Sequence, residues 1–272
     1  MKVAIIGLGR WGKVLLEELK KQVGVKYEGD SKSDLNVIWK DPEVKAVFIA
    51  TPTPTHFDIA SKALEAGKHV FLEKPGTTSS DDLEKLVEKA RKKNLKLAIG
   101  YEYPHHPVVQ KIKEIVGSKK IDFIRLEYQK WGSFKDEIIR NLLCHHISIL
   151  KFLGVDIGEP KINKVGVVTE ADIMATRFGD NVMSIINRVS PVKAHTMLIK
   201  KENGNYLWKD DELFEIVGEE MKPIDVIKTS PVSGEIADFL FAIKEDKEPY
   251  CSGKFALEIY KIIESVQSSV PR

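Results

Sequence analysis

Cysteine is nearly absent from this sequence. The 272 residues include two cysteines, Cys144 and Cys251, which lie far apart. Such a pair forms neither a disulfide framework nor the closely spaced ligands of a zinc site. The histidine pairs at 105–106 and 145–146 also lack the spacing that zinc ligands usually have. We therefore expect no bound metal and a chain suited to the reducing cytoplasm.

An excess of one charge and long apolar runs are also missing. The chain carries 42 basic and 40 acidic residues, so no strongly positive surface predicts nucleic-acid binding. The apolar run near the N-terminus is too short for a signal peptide, and no stretch approaches the roughly 18 apolar residues of a membrane span. We expect neither nucleic acid nor a membrane as partner. Abundant Lys and Glu beside few Gln favour a heat-adapted source.

Short apolar runs alternate with helical patterns through the first hundred residues. Runs typical of buried strands occupy residues 3–6, 23–28, 46–50, 69–72 and 95–99. Because helical patterns separate them, the order strand, helix, strand predicts a parallel sheet with helices on both faces. We predict a doubly wound α/β domain over residues 1–100.

The rhythm changes after Gly100. Strand-like runs then occupy residues 121–131, 162–169, 172–178, 182–189, 194–200 and 213–217, with helical patterns at 107–116, 138–153, 235–243 and 254–265. They predict a second α/β domain over residues 101–272, with an open, mainly antiparallel sheet. One of the predicted strands is amphipathic, with Val182, Ser184, Ile186 and Arg188 at every second position. We predict that a second subunit covers one face of this sheet, which gives a homodimer or homotetramer.

A glycine-rich fingerprint follows the first predicted strand and opens the first predicted helix. The residues that fit the pattern GxGxxG are Gly7, Leu8, Gly9, Arg10, Trp11 and Gly12. The first glycine permits a tight turn, the second lets backbone amides approach a pyrophosphate, and the third lets helix and strand pack closely. The N–H groups and the dipole at the helix start favour phosphates. We therefore predict that these residues bind NAD or NADP.

The same fingerprint requires an acidic residue about 20 positions further on, which holds the ribose hydroxyls. Glu28 and Asp30 are the candidates, and we assign Asp30 to the cofactor. Lys32 and Ser33 follow at once and are suited to a 2′-phosphate. The choice between NAD and NADP therefore stays open.

Longer motifs carry a resemblance to a known family. They are the glycine loop, the segment DPEVKAVFIATPTPTHFDIASKALEAGKHVFLEKP, and the later segments GYEYPHHPVVQKIKEIVGSKKID and GEIADFLFAIKEDKEPYCSGKFALEIYKIIES. With them the chain resembles, over most of its length, the Gfo/Idh/MocA family of glucose–fructose oxidoreductase and inositol dehydrogenase. The resemblance implies an N-terminal Rossmann domain for NAD(P). It also implies a second domain whose sheet forms one wall of the active site and usually the oligomer interface.

The resemblance assigns site residues in the first domain. The family's lysine in Glu-Lys-Pro lies beside the nicotinamide and the reacting carbon, and here it is Lys74. The proline, here Pro75, often follows a cis peptide bond. Ligands bind at the carboxyl ends of the strands in a doubly wound sheet. We accordingly expect cofactor contacts from Ala50, Thr51, Pro52, His56 and Glu73. Tyr101 follows a strand end and is expected to line the substrate cleft, with a plain core position as the alternative.

A second catalytic group is implied by the segment NLLCHHISILKFLG. The family pattern is an aspartate, three residues and then a histidine, which places Asn141 and His145 at those positions. Positions i and i+4 share a helix face, so both would face the substrate, whereas His146 falls on the apolar stripe of the helix. Because Asn141 cannot carry the charge that supports a histidinium, we expect it to bind a substrate hydroxyl or to orient the ring.

These residues predict an NAD(P)-dependent oxidoreductase acting on a secondary alcohol or ketone of a sugar, polyol or sugar derivative. Hydride passes between the substrate carbon and nicotinamide, while His145, helped by Lys74, takes or returns the hydroxyl proton. Lys74 also stabilises the charge that develops on the oxygen. The alternative is a cofactor-binding sensor or scaffold without dehydrogenase activity, which Asn141 and the short interval between residues 25 and 45 favour.

Overall fold

A computed structural model of the protein describes residues 1–30, 32–117, 120–134, 137–202 and 204–270. It divides into two compact units. The first unit consists of Met1–His105 and Ser230–Tyr260, and the second of His106–Thr229 with the chain from Lys261 onward. The division differs from the predicted domains, residues 1–100 and 101–272, because residues 230–260 return to the first unit.

The first unit is built on a five-stranded sheet in which all neighbouring strands are parallel. Its strands are β1 (Lys2–Ile6), β2 (Gly24–Gly29), β3 (Val44–Ile49), β4 (His69–Glu73) and β5 (Leu97–Gly100), in the spatial order β2-β1-β3-β4-β5. The connecting helices are α1 (Arg10–Gln22), α2 (Asn36–Lys40), α3 (His56–Glu65) and α4 (Ser80–Lys92). β1 and β3 are almost continuously apolar because helices cover both faces of such a sheet. The predicted doubly wound sheet is confirmed.

Local sequence signals account for several helix ends. Ser79 precedes α4, and its hydroxyl accepts a hydrogen bond from the backbone N–H of Asp82 at 3.2 Å. The acidic residues in that first turn suit the helix dipole. Gly67, with φ at +72°, follows α3 and supplies the left-handed conformation that ends many helices. α2 has only 5 residues, so the interval between β2 and β3 is as short as the sequence predicts.

The second unit is built on an eight-stranded sheet. It begins with α5 (Pro107–Val116), β6 (Phe123–Trp131) and α6 (Cys144–Leu153). The strands that follow are β7 (Pro160–Val165), β8 (Ile173–Phe178), β9 (Val182–Asn187), β10 (Val189–Lys201), β11 (Gly204–Lys209), β12 (Glu212–Val217) and β13 (Glu220–Ile224). Their spatial order is β13-β12-β11-β10-β6-β9-β8-β7, and neighbours are antiparallel except for β6 and β9. The predicted open, mainly antiparallel sheet is confirmed.

Two strands of this sheet, β11 and β13, were not predicted from the sequence. β13 lies at the sheet edge, contains Pro223 and is largely exposed, so it lacks the apolar alternation of a buried strand. β11 buries one side chain, Trp208. Both strands pair because β12 lies between them, which is a tertiary effect that short windows of sequence do not contain.

The two faces of the second sheet differ in what covers them. Helix α6 packs on the inner face, where His146 contacts Ser184. Ser184 and its alternate neighbours Val182 and Ile186 are buried on this inner face. These residues at alternate positions therefore face their own chain, and the face that a second subunit could cover is the outer one. The outer face carries half-buried side chains, among them Met183 and Ile185 of β9.

The return of the chain to the first unit has a clear physical cause. After β13 come α7 (Pro231–Lys244) and α8 (Gly253–Ser269). Phe239 of α7 packs edge-on against Phe48 at 5.5 Å and Phe71 at 5.7 Å, measured between ring centroids. Three interlocked aromatic rings contribute strongly to a core, so α7 belongs with the parallel sheet. Within the described ranges, no helix is both long and apolar enough to cross a membrane.

Candidate active site

The glycine loop connects β1 to α1 through two close backbone contacts. Gly7 has φ at +103°, and a Cβ placed there would lie 2.5 Å from the carbonyl carbon of Ala50. A Cβ at Gly12 would lie 1.8 Å from the carbonyl oxygen of Gly7. Neither position accepts a side chain without movement of the backbone. The first and third glycines therefore have the packing roles that the fingerprint predicts.

Gly9 is different because it faces open space. A Cβ at this position meets no protein atom within 4 Å, and its φ of −66° suits any residue. Gly9 is also the N-cap of α1, and no side chain caps that helix. The backbone N–H groups at the start of α1 are thus open to a phosphate that approaches over Gly9. Leu8 is half-buried, whereas Arg10 and Trp11 are exposed. This loop fits the pyrophosphate of a dinucleotide.

The loop after β2 forms a tight turn around Asp30. Its carboxylate accepts hydrogen bonds from the backbone N–H of Lys32 at 2.8 Å and from the hydroxyl of Ser33 at 3.2 Å. Both hydrogen bonds lower the pKa of Asp30, and the bond from Lys32 has the larger effect. The other acidic candidate, Glu28, forms an ion pair with Lys20 at 2.7 Å. An ionised carboxylate and a lysine therefore lie in one turn, where they suit ribose hydroxyls and a 2′-phosphate respectively.

His56 lies between two of the strand-end loops. Its Nδ1 is 2.8 Å from the carbonyl oxygen of Gly76, and its Nε2 is 2.6 Å from that of Thr51. The residue is 1% exposed, and burial lowers the pKa of the imidazole. His56 thus contacts the backbone of the loops that follow β3 and β4. Thr51 is buried as well, whereas Ala50 is half-buried and Pro52 is exposed.

Lys74 directly follows β4, and its segment is anchored on both sides. The Lys74–Pro75 peptide bond is cis, as the resemblance implies. The carboxylate of Glu73 accepts hydrogen bonds from Trp11 Nε1 at 2.5 Å and from the backbone N–H of Lys74 at 3.2 Å. Burial raises the pKa of Glu73 to about 7. Since Trp11 belongs to the glycine loop, this bond joins the predicted phosphate site to the lysine segment.

Tyr101 has the core position that we gave as the alternative to the substrate cleft. The residue is fully buried, and its ring packs edge-on against Phe255 with 6.4 Å between centroids. A side chain with no exposed surface offers nothing to a substrate in this conformation. The reason is that the residues before α8 cover the end of β5, where the backbone N–H of Ile99 donates to the carbonyl of Cys251 at 2.8 Å.

In the second unit, the segment that carries Asn141 begins with a π-helical turn. This turn covers Ile139–Leu143 and leads directly into α6. π-Turns are rare and are frequently found at functional sites. The predicted helix over 138–153 is thus continuous, with a wider first turn. Asn141 lies in that turn and is half-buried, and His145 follows in the first turn of α6 with 8% of its surface exposed.

The adjacent histidines, His145 and His146, have different surroundings. The His145 ring lies 6.5 Å from the ring of Tyr128, between centroids, on β6. His146 is completely buried, and its Nδ1 is 2.7 Å from the hydroxyl of Ser184. Burial lowers the pKa of His146 to about 3, so the ring is neutral. His146 is a core residue of the apolar stripe, as the sequence predicts.

A set of stacked rings on the inner face of the sheet was not predicted. His146 stacks on His195 at 5.2 Å and 26°, and His195 lies 4.5 Å from Trp208. His106 lies 4.9 Å from Trp208 on the other side. We call these four residues the imidazole layer. No sequence signal could reveal it, because its members come from four elements that are distant in the chain.

Glu235 of α7 is a further residue that the sequence prediction missed. It is 2% exposed, and neither carboxylate oxygen has a hydrogen-bond partner in the part of the chain that the structure describes. A signal did exist: Val232, Glu235, Ile236 and Phe239 recur with helical spacing, so the glutamate lies on the apolar face. A buried acid on such a face is unusual and indicates a special role.

Known proteins that are similar to this chain include NAD-binding oxidoreductases. A family described as an oxidoreductase family with an NAD-binding Rossmann fold matches residues 16–101. UDP-N-acetylglucosamine 3-dehydrogenase of Acidithiobacillus ferrooxidans is 28% identical over 231 residues, which are 78% of this chain and 74% of that protein. Myo-inositol 2-dehydrogenase of Thermotoga maritima is 28% identical over 233 residues, covering 69% and 68% of the two chains.

Solved structures share the fold along nearly the whole chain. The structure of the Acidithiobacillus ferrooxidans enzyme superposes with a TM-score of 0.91 at 22% identity, over 99% of this chain and 97% of that one. An oxidoreductase from Agrobacterium radiobacter, solved in complex with NAD+, L-tartaric acid and magnesium, gives a TM-score of 0.84 at 15% identity, over 99% and 96%. At such identities the likeness establishes the fold.

Proposed function

We propose that the chain is a member of the Gfo/Idh/MocA oxidoreductase family and acts as an NAD(P)-dependent dehydrogenase or reductase. Its substrate is a secondary alcohol or ketone of a sugar, polyol or sugar derivative. The observation that carries the proposal is the hydrogen bond from Trp11 to Glu73. It joins a glycine loop open to phosphates with the segment that bears Lys74, at one edge of a parallel sheet.

Cofactor binding is assigned to the glycine loop and the strand ends around it. Residues 7–12 and Asp30 hold the dinucleotide, with Ala50, Thr51, Pro52, Glu73 and Lys74 near the nicotinamide. His56 supports the loops from beneath, since both ring nitrogens face backbone carbonyls. A bound nicotinamide supplies or accepts the hydride.

The chain's own residues handle the oxygen and its proton. The amine of Lys74 donates a hydrogen bond to the reacting oxygen and stabilises its developing negative charge. The imidazole of His145 takes the hydroxyl proton in oxidation and returns it in reduction. Asn141 hydrogen-bonds a substrate hydroxyl or orients the His145 ring. As an amide it gives the ring no negative charge, so His145 works without the carboxylate that the family pattern has.

The cofactor assignment is tested by titration calorimetry with NAD+ and with NADP+ separately. Gly9→Val is the matched variant, because its side chain fills open space and leaves the fold intact. We expect the same melting temperature and roughly tenfold or more weaker cofactor binding, a loss of at least about 1.4 kcal/mol. Unchanged affinity in the variant would move the phosphates away from this loop.

The substrate class follows the relatives, whose names include a UDP-N-acetylglucosamine 3-dehydrogenase and a myo-inositol 2-dehydrogenase. A panel of nucleotide sugars, free sugars and cyclic polyols, followed by nicotinamide absorbance, tests it. We expect turnover on at least one class. Tight cofactor binding without turnover across the panel would favour the second candidate, a sensor or scaffold, for which Asn141 at the aspartate's position is the motivating observation.

We propose a homodimer or homotetramer joined through the outer face of the second sheet. Supporting side chains on that face include Leu198, Leu207 and Phe214, which are paired across three adjacent strands. They are half-buried, and a subunit interface would remove them from water. Light scattering at micromolar concentration tests this, and a monomer of 30.7 kDa would contradict it.

We also propose a cytoplasmic protein from a heat-adapted source. Cys144 and Cys251 are both buried and keep their thiols, which suits a reducing compartment. Ion pairs among Lys and Glu, such as Lys92 with Glu88 at 2.7 Å, support the second part. A melting temperature within the roughly 45–65 °C of mesophile domains would count against heat adaptation. Recovery of the native protein outside the cytoplasm would count against the location.

A further inference from the structure

The turn that carries Lys74 connects β4 to α4 and contains a flexible position. Lys74 follows the last residue of β4, and Gly76, two residues on, has φ at +100°. Glycine has more conformational freedom than any other residue, so a turn built on it does not keep one shape unaided. A reacting group must stay within about 0.5 Å of its productive position. Contacts from other elements must therefore hold this turn if Lys74 is to act on a substrate.

Helix α3 supplies one such contact through His56. The Nδ1 atom of its ring lies 2.8 Å from the carbonyl oxygen of Gly76, and Nε2 lies 2.6 Å from that of Thr51. The residue is 1% exposed, so water does not compete for these contacts. His56 thus fixes the middle of the turn relative to the loop after β3.

Helix α8 supplies a second contact through Tyr260, which is 183 positions away from Thr77 in the chain. The Tyr260 hydroxyl donates a hydrogen bond to the backbone carbonyl of Thr77 and accepts one from the backbone N–H of the same residue at 3.2 Å. A phenol is both donor and acceptor, so one hydroxyl pairs both backbone groups. Tyr260 and Thr77 have no exposed surface, and both bonds therefore lie out of reach of water.

The pattern of α8 explains the ring of Tyr260 but not its hydroxyl. Ala256 and Tyr260 lie one turn apart on the buried face of the helix, and both are 0% exposed. A phenylalanine would fill this core position with the same apolar ring. The hydroxyl adds a polar group in a dry place, which costs free energy unless it is hydrogen-bonded. Its bonds to Thr77 reach the Lys74 turn, so the hydroxyl contributes to the shape of that turn.

We infer that Tyr260 is a positioning residue for Lys74. Its hydroxyl holds Thr77 while His56 holds Gly76, and the two contacts fix the turn from which the Lys74 amine reaches the reacting oxygen. Because Tyr260 is fully buried, it acts through Lys74 and not by contact with a substrate. The part of this inference that concerns turnover rests on the proposed function.

Removal of the hydroxyl alone separates this role from packing. Tyr260→Phe keeps the ring but takes this partner from the backbone N–H and carbonyl of Thr77, in a place that water does not reach. The turn then samples other conformations around Gly76, and the Lys74 amine leaves its position for part of the time. The glycine loop at the start of α1 is unchanged, so the cofactor should still bind.

The first experiment requires no substrate and measures amide hydrogen exchange by NMR on the intact protein. In Tyr260→Phe, the Thr77 amide should exchange with solvent at least about tenfold faster than in the wild type, because it has lost its acceptor. Tyr27→Phe is the matched control. Its hydroxyl donates to the carboxylate of Asp41 at 2.8 Å, and Asp41 precedes β3 and so lies at the amino end of the strands. This control should leave the exchange of Thr77 unchanged.

An unchanged exchange rate of Thr77 in Tyr260→Phe would overturn the inference, whatever the fate of the proposed function. If that variant does not fold, the wild-type spectrum decides. A buried, hydrogen-bonded tyrosine hydroxyl keeps its proton long enough to give its own signal. We expect a nuclear Overhauser effect between the Tyr260 hydroxyl proton and the Thr77 amide, and its absence would equally overturn the inference.

The second experiment measures kcat and cofactor affinity in the same variants, at a temperature where each is fully folded. Tyr260→Phe should lower kcat by about 10- to 100-fold, because small displacements of a reacting group cost this much. Affinity for the nicotinamide cofactor should stay within about twofold, since the lost interaction acts on the reaction and not on binding. Tyr27→Phe should keep the wild-type kcat. An unchanged kcat in Tyr260→Phe would refute the positioning role.

A double variant distinguishes positioning from a general loss of structure. If Tyr260 acts through the amine, Lys74→Ala with Tyr260→Phe should turn over no more slowly than Lys74→Ala alone. A structural role would lower kcat by the same factor whether the amine is present or not. Additive losses would therefore overturn the assignment. Absence of turnover in the wild type itself would instead count against the proposed function, and the exchange of Thr77 would still decide whether Tyr260 holds the turn.

Discussion

The two units of this protein both keep ionisable groups out of water, including His56 in the first and Asp172 in the second, but a different kind of group is prominent in each. The first unit buries carboxyls, of which Glu235 and Glu73 are the main cases. The second unit buries imidazoles, His146 and His195, stacked in one layer. Burial raises the pKa of the acids and lowers the pKa of the imidazoles. Near neutral pH the result is the same in both units, a core with little net charge.

Buried acids and buried imidazoles make the stability of the protein depend on pH in opposite directions. An acid whose pKa is raised by folding contributes stability at low pH, and this is lost as the pH rises from about 4.5. For Glu73 the loss continues to about pH 7. An imidazole whose pKa is lowered contributes stability above about pH 6.5, and this is lost as the pH falls. For His146 the loss continues to about pH 3. His105 of the first unit behaves like His146 and opposes the gain from the acids there.

The buried ionisable groups of the two units also differ in their relation to the proposed reaction. In the first unit the buried carboxyl of Glu73 accepts a hydrogen bond from the backbone N–H of Lys74, so it bears on the reaction that we propose. In the second unit the imidazole layer lies beneath α6 and supports the helix that carries His145. Buried ionisable groups of one unit thus act next to the chemistry, and those of the other act as core. The predictions below test that distinction.

The largest expected effect is on turnover when His145, the less deeply buried member of the histidine pair, is changed. His145→Asn should lower kcat by about 10²–10⁴-fold, the usual contribution of a general acid–base group. The melting temperature should change little, because the ring is at the edge of the imidazole layer and not within it. Steady-state kinetics and thermal unfolding measure the two effects. His69→Asn, the same change in a half-buried histidine of the first unit, is the control. Full activity in His145→Asn would assign that histidine to the core as well.

The second effect concerns the amine in the first unit. Lys74→Ala should lower kcat by about 10²–10³-fold, as expected for loss of a group that stabilises developing charge on oxygen. Cofactor affinity, measured by calorimetry, should be nearly unchanged, since the glycine loop remains intact. Lys45→Ala, an exposed lysine of β3, is the matched control. An unchanged kcat for Lys74→Ala would contradict the role assigned to its amine.

The third effect is on acid stability and tests the comparison directly. Between pH 7 and pH 5, His146 alone should reduce the free energy of unfolding by about 2 kcal/mol, because the unfolded chain takes up a proton that the native ring refuses. Because the buried acids of the first unit shift stability in the opposite direction, urea unfolding at the two pH values is compared between the wild type and a variant of the layer. Replacement of the second member, His195→Phe, should reduce the loss of stability at pH 5 while keeping a ring in the stack. The same pH dependence in both proteins would show that the layer is not neutral.

The sequence predicted the first unit better than the second for a physical reason. Parallel strands such as β1 and β3 are covered on both faces, so their apolar runs stand out in any window. Their glycine loop and the lysine after β4 are short motifs at strand ends, where the topology determines their position. In the second unit, β13 forms an edge and its pairing depends on β12, so its own residues carry little signal.

For the candidate site, too, local motifs could be predicted from the sequence and long-range contacts could not. Motif residues could be named from the sequence, including Lys74 and His145, because a resemblance supplied their positions. Contacts between distant positions could not be named. The bond from Trp11 to Glu73 joins residues 62 positions apart, and the imidazole layer joins four elements. Tyr101 illustrates the converse, since a strand-end tyrosine fits both a cleft and a core until packing decides.

The smallest expected effect concerns what holds the imidazole layer together, a hydrogen bond or packing alone. Ser184 and Thr176 are directly opposite each other on β9 and β8, and both are fully buried. Ser184 contacts His146 Nδ1 at 2.7 Å, whereas Thr176 Oγ1 has no partner in the described part of the chain. Ser184→Ala should therefore cost about 1–3 kcal/mol, because it leaves a buried ring nitrogen unpaired.

Thr176→Val is the matched control for that change, since it replaces a buried hydroxyl by a methyl group of the same shape. It should be neutral or slightly stabilising, because no hydrogen bond is lost and a buried polar atom is removed. Urea unfolding of the two variants at pH 7 gives the difference between a partnered and an unpartnered hydroxyl in one environment. Equal losses would mean that packing of the rings, and not the bond from Ser184, keeps His146 in place. In that case the contrast between the hydrogen-bonded Glu73 of the first unit and a merely packed layer in the second would become sharper.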